Sequence, residues 1–129
     1  MGAAEGGGMS DQGQVRGLVS GIEPPYYAVV FTSIRREGAD GSDGGYGETA
    51  VLMRELVAEI PGYLGYETAR NPGGIGITVG YFRDEEAVAA WRGRLEHQQA
   101  QRRGRAEWYE GYSVHVAKVE RSYGFERKQ

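Results

Sequence analysis

YLGYETAR (Tyr63–Arg70), NPGG (Asn71–Gly74) and IGITVGYFR (Ile75–Arg83) read as strand, turn and strand, and DEEAVAAW (Asp84–Trp91) carries the chain directly into a helix. The turn follows from its residue types, because proline presets φ and glycine accepts the left-handed angles that close a hairpin. The second strand alternates. Ile75, Ile77, Val79 and Tyr81 fall on one face, and Gly76, Thr78, Gly80 and Phe82 on the other. Two glycines on that second face leave room, either for a closely packed helix or for a ligand. Asp84 is a helix-capping residue, and Glu85 and Glu86 follow in the first turn, where the helix dipole favours anions.

Upstream, YYAVVFTSIR (Tyr26–Arg35) is β-branched and aromatic and nearly apolar on both faces, which predicts a central strand. ETAVLMRELVAEI (Glu48–Ile60) predicts a helix with Met53, Leu56, Val57 and Ile60 on one face, ended by Pro61-Gly62. Downstream, Val88, Trp91 and Leu95 share a face of the second helix. Gly93 weakens that helix by about 1 kcal/mol relative to alanine, so a kink or a division into two segments is expected there. Gly104 reads as the stop and Arg105–Glu110 as a short connector. YSVHVAKVE (Tyr112–Glu120) is the last strand, with Val114 and Val116 on one face and His115, Ala117 and Val119 on the other.

The order is β-α-β-β-α-β, the ferredoxin-like α+β arrangement of an antiparallel sheet with both helices on one face. A single domain is expected over residues 24–129, behind a flexible glycine-rich arm over 1–23. The strand residues facing away from the helices are also apolar or small, which a monomer would expose. A homodimer, sheet against sheet, is therefore expected.

The chain has 129 residues and a net charge of −3. It lacks the basic excess with which domains neutralise phosphates, so no nucleic-acid partner is expected. The absence of cysteine removes disulfides, thiolate metal sites and thiol catalysis, and it fits a cytoplasmic protein. No apolar run approaches the ~18 residues of a membrane span, and no basic-then-apolar leader opens the chain. In the loop Arg36–Gly47, Asp40 and Asp43 suggest calcium. Ser42 and Gly44 occupy the next ligand positions and no glutamate closes the loop, so no metal site is assigned. The glycines at 73–76 lead into a strand and not a helix, which rules out a phosphate loop.

In order and spacing, PGYLGYE (Pro61–Glu67), IGITVGYF (Ile75–Phe82), DEEAVAAW (Asp84–Trp91), EHQQAQRRGRAEWYEGY (Glu96–Tyr112) and VHVAKVERSYGF (Val114–Phe125) form a pattern. It resembles the antibiotic biosynthesis monooxygenase superfamily of dimeric α+β barrels. The resemblance implies a small pocket between helices and sheet. In the family such pockets host cofactor-free oxygenation of aromatic polyketides, quinol oxidation or haem degradation. The haem-degrading branch is similar in carrying a histidine after a tryptophan on the second helix.

His97 is the candidate catalytic residue. An imidazole with a pKa near ~6.5 suits proton abstraction from a phenol or quinol. A neutral imidazole also suits haem iron, and a locally hydrogen-bonded helix histidine is the third alternative. On an unbroken helix the six positions from Trp91 place His97 about 120° away, so both face one pocket only if the helix breaks. Trp91, Trp108, Tyr109 and Tyr112 are the candidate substrate-binding residues, supplying apolar walls with polar tips for a flat aromatic ligand. The expectation is a monooxygenase acting on a small aromatic substrate with O2 and no tightly bound metal. The alternatives are a non-catalytic ligand-binding or stress-response module and a haem-degrading enzyme.

Overall fold

In the computed structural model, which describes residues 17–36, 44–72 and 74–128, the sheet grows outward from β1 (Tyr26–Arg35). One neighbour is β3 (Ile75–Phe82), which in turn pairs β2 (Tyr63–Arg70). The other is β4 (Tyr109–Val119). All pairs are antiparallel and the order is β2-β3-β1-β4. The both-faced apolar strand is thus central, as its composition predicts. The order is that of the ferredoxin-like α+β fold.

Three helices lie on one face: α1 (Tyr46–Val57), α2 (Glu85–Gly93) and α3 (Leu95–Arg103). A π-helical turn, Gly104–Trp108, then leads into β4. Val57 and Ile60 from the end of α1 meet Phe82 of β3 and Ala87 and Val88 of α2, and these five side chains form the core. Tyr27, Val29, Tyr63 and Trp91 pack against it. The Asp84 carboxylate accepts the Ala87 N–H at 2.8 Å, the capping bond expected of that residue.

The second helix is divided, but not at the residue that the glycine suggests. Gly93 is the last residue of α2, and a Cβ there would meet nothing within 4 Å. Arg94 is the residue that turns extended, with φ −65° and ψ 128°. It is held from both sides, by Glu59 beyond α1 at 3.1 Å and by Glu96 in α3 at 3.1 Å. Gly104 also differs from expectation, since the helical winding runs on through it. Its hydrogen leaves room for the Tyr109 ring, whose edge would lie 2.7 Å from a Cβ. β4 consequently starts at Tyr109, three residues earlier than the alternation suggests.

Residues 17–23, the described part of the expected flexible arm, have no regular structure but are tied to the sheet. The Val19 N–H donates to the Glu67 carboxylate at 2.9 Å, and Arg83 donates to the Glu23 carbonyl at 2.9 Å. Asp40 and Asp43 lie outside the described residues. On the sheet face away from the helices, Ile34, Ile75 and Ile77 stay exposed beside partly covered Val30 and Val79, and exposed His115 and Ala117 lie on the same face. Beyond β4, residues 120–128 run on without regular structure, and Tyr123 is 98% and Phe125 74% exposed.

Candidate functional site

Between the helices and the sheet lies a cavity of about 280 Å³. Its floor is the helix-facing side of the sheet, where Val29 and Phe31, Tyr66 and Thr68, Thr78 and Gly80, and Tyr112 and Val114 come from the four strands. The roof is α1, through Thr49, Ala50 and Met53, together with α3, through His97, Ala100 and Gln101. The Thr68 and Thr78 hydroxyls meet at 2.7 Å on the floor and satisfy one another. Gly80 opens onto this space, so one of the two inward glycines of β3 does serve the cavity.

At one end Trp91 and His97 stand together. Their rings stack at 4.3 Å between centroids and 13° between planes. The break at Arg94 makes this possible. In a continuous helix the Trp91 carbonyl would accept the N–H four residues on. Here it takes the Arg94 N–H at 3.1 Å and also His97 Nδ1 at 3.1 Å. A carbonyl only accepts, so Nδ1 carries the proton and Nε2 keeps its lone pair. Burial lowers the His97 pKa, opposed by the bond to the Trp91 carbonyl, so the ring is neutral at neutral pH. A neutral imidazole with Nδ1 occupied and no partner for Nε2 among the described residues has the form needed to accept a proton, and it is held in one orientation.

The other end is aromatic and hydroxylated. Tyr46, Trp108, Tyr109 and Tyr112 line it, with Phe31 between them. Phe31 packs on Tyr109 at 5.7 Å and on Tyr112 at 5.2 Å, and Tyr46 meets Trp108 edge-on at 5.6 Å. Trp108 is only 4% exposed, and its Nε1–H donates to the Gly44 carbonyl at 3.0 Å, which fixes the entry to α1. It is therefore a wall and an anchor at once. Burial raises the Tyr109 pKa well above the usual tyrosine range, and interaction with Tyr46 adds to this, so Tyr109 remains a hydrogen-bond donor.

All five residues singled out from the sequence line the one cavity: His97 and Trp91 at one end, Trp108, Tyr109 and Tyr112 at the other. The helical residues between His97 and Trp108 put roughly 15 Å of backbone between those ends. His115 is on the opposite face of the sheet and exposed. Sequence reasoning missed Tyr46, which it left in a loop, and the arginines behind it. Arg35 and Arg70 fall on the helix-facing alternation of their strands, and a charge on an inward face was the available signal. Among the described residues no group of three or more histidines and carboxylates is placed to hold a metal ion. No helix among them is long and apolar enough to cross a membrane.

Comparison with known proteins gives a consistent picture. The family described as antibiotic biosynthesis monooxygenase matches residues 30–103. The uncharacterized protein YqjZ of Bacillus subtilis (strain 168) is 50% identical over 104 residues, covering 81% of this chain and 88% of its own. Among solved structures, SnoaB, a cofactor-independent oxygenase from Streptomyces nogalater, superposes with a TM-score of 0.62 at 9% identity. That match covers 77% of this chain and 97% of SnoaB. Rv0793 from Mycobacterium tuberculosis gives a TM-score of 0.64 at 14% identity, covering 77% of this chain and 99% of its own. At such identities the two structural matches speak to the fold.

Proposed function

The chain belongs to the antibiotic biosynthesis monooxygenase family, and we propose that it oxidises a small aromatic substrate of phenol or quinol type with O2, using no tightly bound metal. The observation that carries this reading is the Trp91–His97 stack, which leaves Nε2 as a free base in an aromatic-walled cavity. Without a cofactor, the electrons that reduce O2 come from the substrate itself. The protein's task is then to make the substrate electron-rich by removing a proton, and to keep bulk water from the resulting anion. His97 Nε2 takes the proton. Trp91, Trp108, Tyr109 and Tyr112 hold the ring.

The test is oxygen uptake across a panel of phenols and quinols. Turnover is expected with at least one of them, and His97→Ala lowers it by about 10²–10⁴-fold while the dimer persists. Uptake undiminished by His97→Ala removes the base from the mechanism. No uptake across the panel leaves the cavity as a binding site without chemistry.

Haem asks for more than an imidazole. A cavity of about 280 Å³ is small beside the ~300–1,000 Å³ of drug-sized ligand sites, and a four-pyrrole macrocycle needs more width than that. We read the resident cofactor as none, and titration with haem is expected to produce no Soret shift.

We also read the working unit as a homodimer. The apolar outer face of the sheet and the solvent-facing Tyr123 and Phe125 support this, since contiguous exposed apolar surface marks an interface. Size-exclusion chromatography with light scattering that returns a clean monomer at micromolar concentration would sink it.

A further inference from the structure

Behind the Tyr46–Tyr109 end of the cavity stand guanidinium groups that no carboxylate among the described residues neutralises. Arg35, the last residue of β1, is aimed there by an irregularity in the pairing with β4 between Ile34 and Arg35. Its Cζ lies 3.8 Å from the centre of the Tyr46 ring, and its Nε is buried without an acceptor among the described residues. Arg70 reaches in from β2, with Nη2 2.7 Å from the Ser33 hydroxyl and 3.4 Å from the Tyr46 hydroxyl, and Nη1 on the Gly74 carbonyl. Ser33 is 1% exposed, so this contact sits deep in the fold. Arg105 donates to the Tyr112 hydroxyl at 2.8 Å. The carboxylates nearby are engaged elsewhere, Glu107 with Arg103 and Glu110 with Arg36. Among the described residues, Arg35, Arg70 and Arg105 form no ion pair.

Arg70 and Arg105 are exposed, so water meets part of their charge, whereas Arg35 buries its Nε. The hydrogen-bond directions say where these charges are turned. A tyrosine oxygen that accepts from an arginine keeps its own O–H free and more strongly polarised. Tyr46 accepts from Arg70 and Tyr112 from Arg105, so each hydroxyl keeps its proton available for a group in the cavity that the two rings line. Tyr109 lies between them, its hydroxyl hydrogen-bonded to Tyr46. Two hydroxyls, each backed by an arginine, meet at one end of the space, and the neutral His97 is at the other.

We propose that the Tyr46–Tyr109–Tyr112 end of the cavity is an anion subsite, which takes an ionised oxygen, carboxylate or phenolate, carried by the aromatic ligand. The proposal rests on the reading of the cavity as an aromatic-ligand site, but not on catalysis. It defines a polarity for the bound molecule: the anionic end lies against the tyrosines and the end that loses a proton lies under His97.

Isothermal titration of the full chain with 2-naphthoate, its methyl ester and 2-naphthol tests it. The acid is expected to bind about tenfold more tightly than the ester, the scale of a hydrogen bond to a charged group. Tyr46→Phe and Arg70→Gln bring that ratio toward one while ester affinity holds. Arg105→Gln, a surface change that leaves the core alone, lowers the ratio by a smaller factor. If the acid shows no preference but 2-naphthol binds as its phenolate, seen by its absorbance, the subsite stands with phenolate as its ligand. Equal binding of acid, ester and neutral naphthol overturns the anion subsite and leaves the aromatic cavity intact. Failure of every probe to bind overturns both.

Discussion

At the Trp91 end of the cavity an imidazole nitrogen is presented by a gap in a helix, whereas at the Tyr46 end hydroxyls are presented by strand ends and a helix start. The first arrangement depends on one extended residue, Arg94, and on the backbone carbonyl that its extension frees. The second depends on many side chains, packed edge to face and backed by guanidinium groups. The difference teaches where each end is vulnerable. Loss of the Arg94 ion pairs disturbs the His97 end and spares the tyrosines, and loss of Arg35 or Arg70 does the opposite.

The sharpest way to break this division is to exchange the defects. His97→Ala is expected to lower turnover by about 10²–10⁴-fold, the range for loss of general base catalysis, while the affinity for 2-naphthoate stays within a factor of two or so. Oxygen uptake and calorimetry on the same protein check both halves. Tyr46→Phe should show the converse emphasis, with the larger loss in affinity for the acid. If the two variants lose affinity and turnover in parallel, the ends are not separate.

Gly104→Ala probes the packing of the tyrosine end. Its Cβ would press on the Tyr109 ring from 2.7 Å, and overpacking of this kind costs about 1–3 kcal/mol. Thermal denaturation reads that loss, and the acid-over-ester ratio should fall with it.

Acidification separates the ends by a different route. Burial holds the His97 pKa below the ordinary histidine value of 6.5, so just below that value the unfolded chain takes up a proton that the folded one refuses. The contribution of His97 to stability is complete above this window and is lost as pH falls through it toward the folded pKa. His97→Gln should flatten that segment of the stability curve. The acid limb of the oxygen-uptake profile should lie below the ordinary histidine range.

The smallest effect is expected from Gly93→Ala. Nothing lies within 4 Å of a Cβ there, and the change should stabilise by up to about 1 kcal/mol through helix propensity. The His97 ring signals, followed by NMR, should keep the upfield shift expected of a ring stacked on Trp91. If that shift is lost, the break belongs to Gly93 and not to Arg94.

The β-α-β-β-α-β order was legible because each strand and helix announces its own period, and the turn Asn71–Gly74 and the cap Asp84 mark their boundaries. The place where the helix divides was not, because the residue that stabilises it is Glu59, 35 positions away. Gly104 carried the local signal of a helix stop, yet its use is to clear space for an aromatic ring. His97 and Trp91 were legible as residues but their contact was not, since it follows from the break. Tyr46 was hidden by a loop-like composition around it, and Arg35 and Arg70 read as ordinary polar strand ends until the register placed them on one face.

Gly76 gives the sheet a property that strand glycines seldom have. A Cβ at that position would sit 2.4 Å from the Arg70 guanidinium carbon, so the absent methyl group is the berth in which the charge rests. Replacing it would leave the strand's hydrogen bonds in place and evict an arginine from beneath the cavity. In sequence terms such a change looks like a packing substitution. In effect it would be a charge removal without any charged residue being touched, and the ligand preference of the site would register it before the fold did.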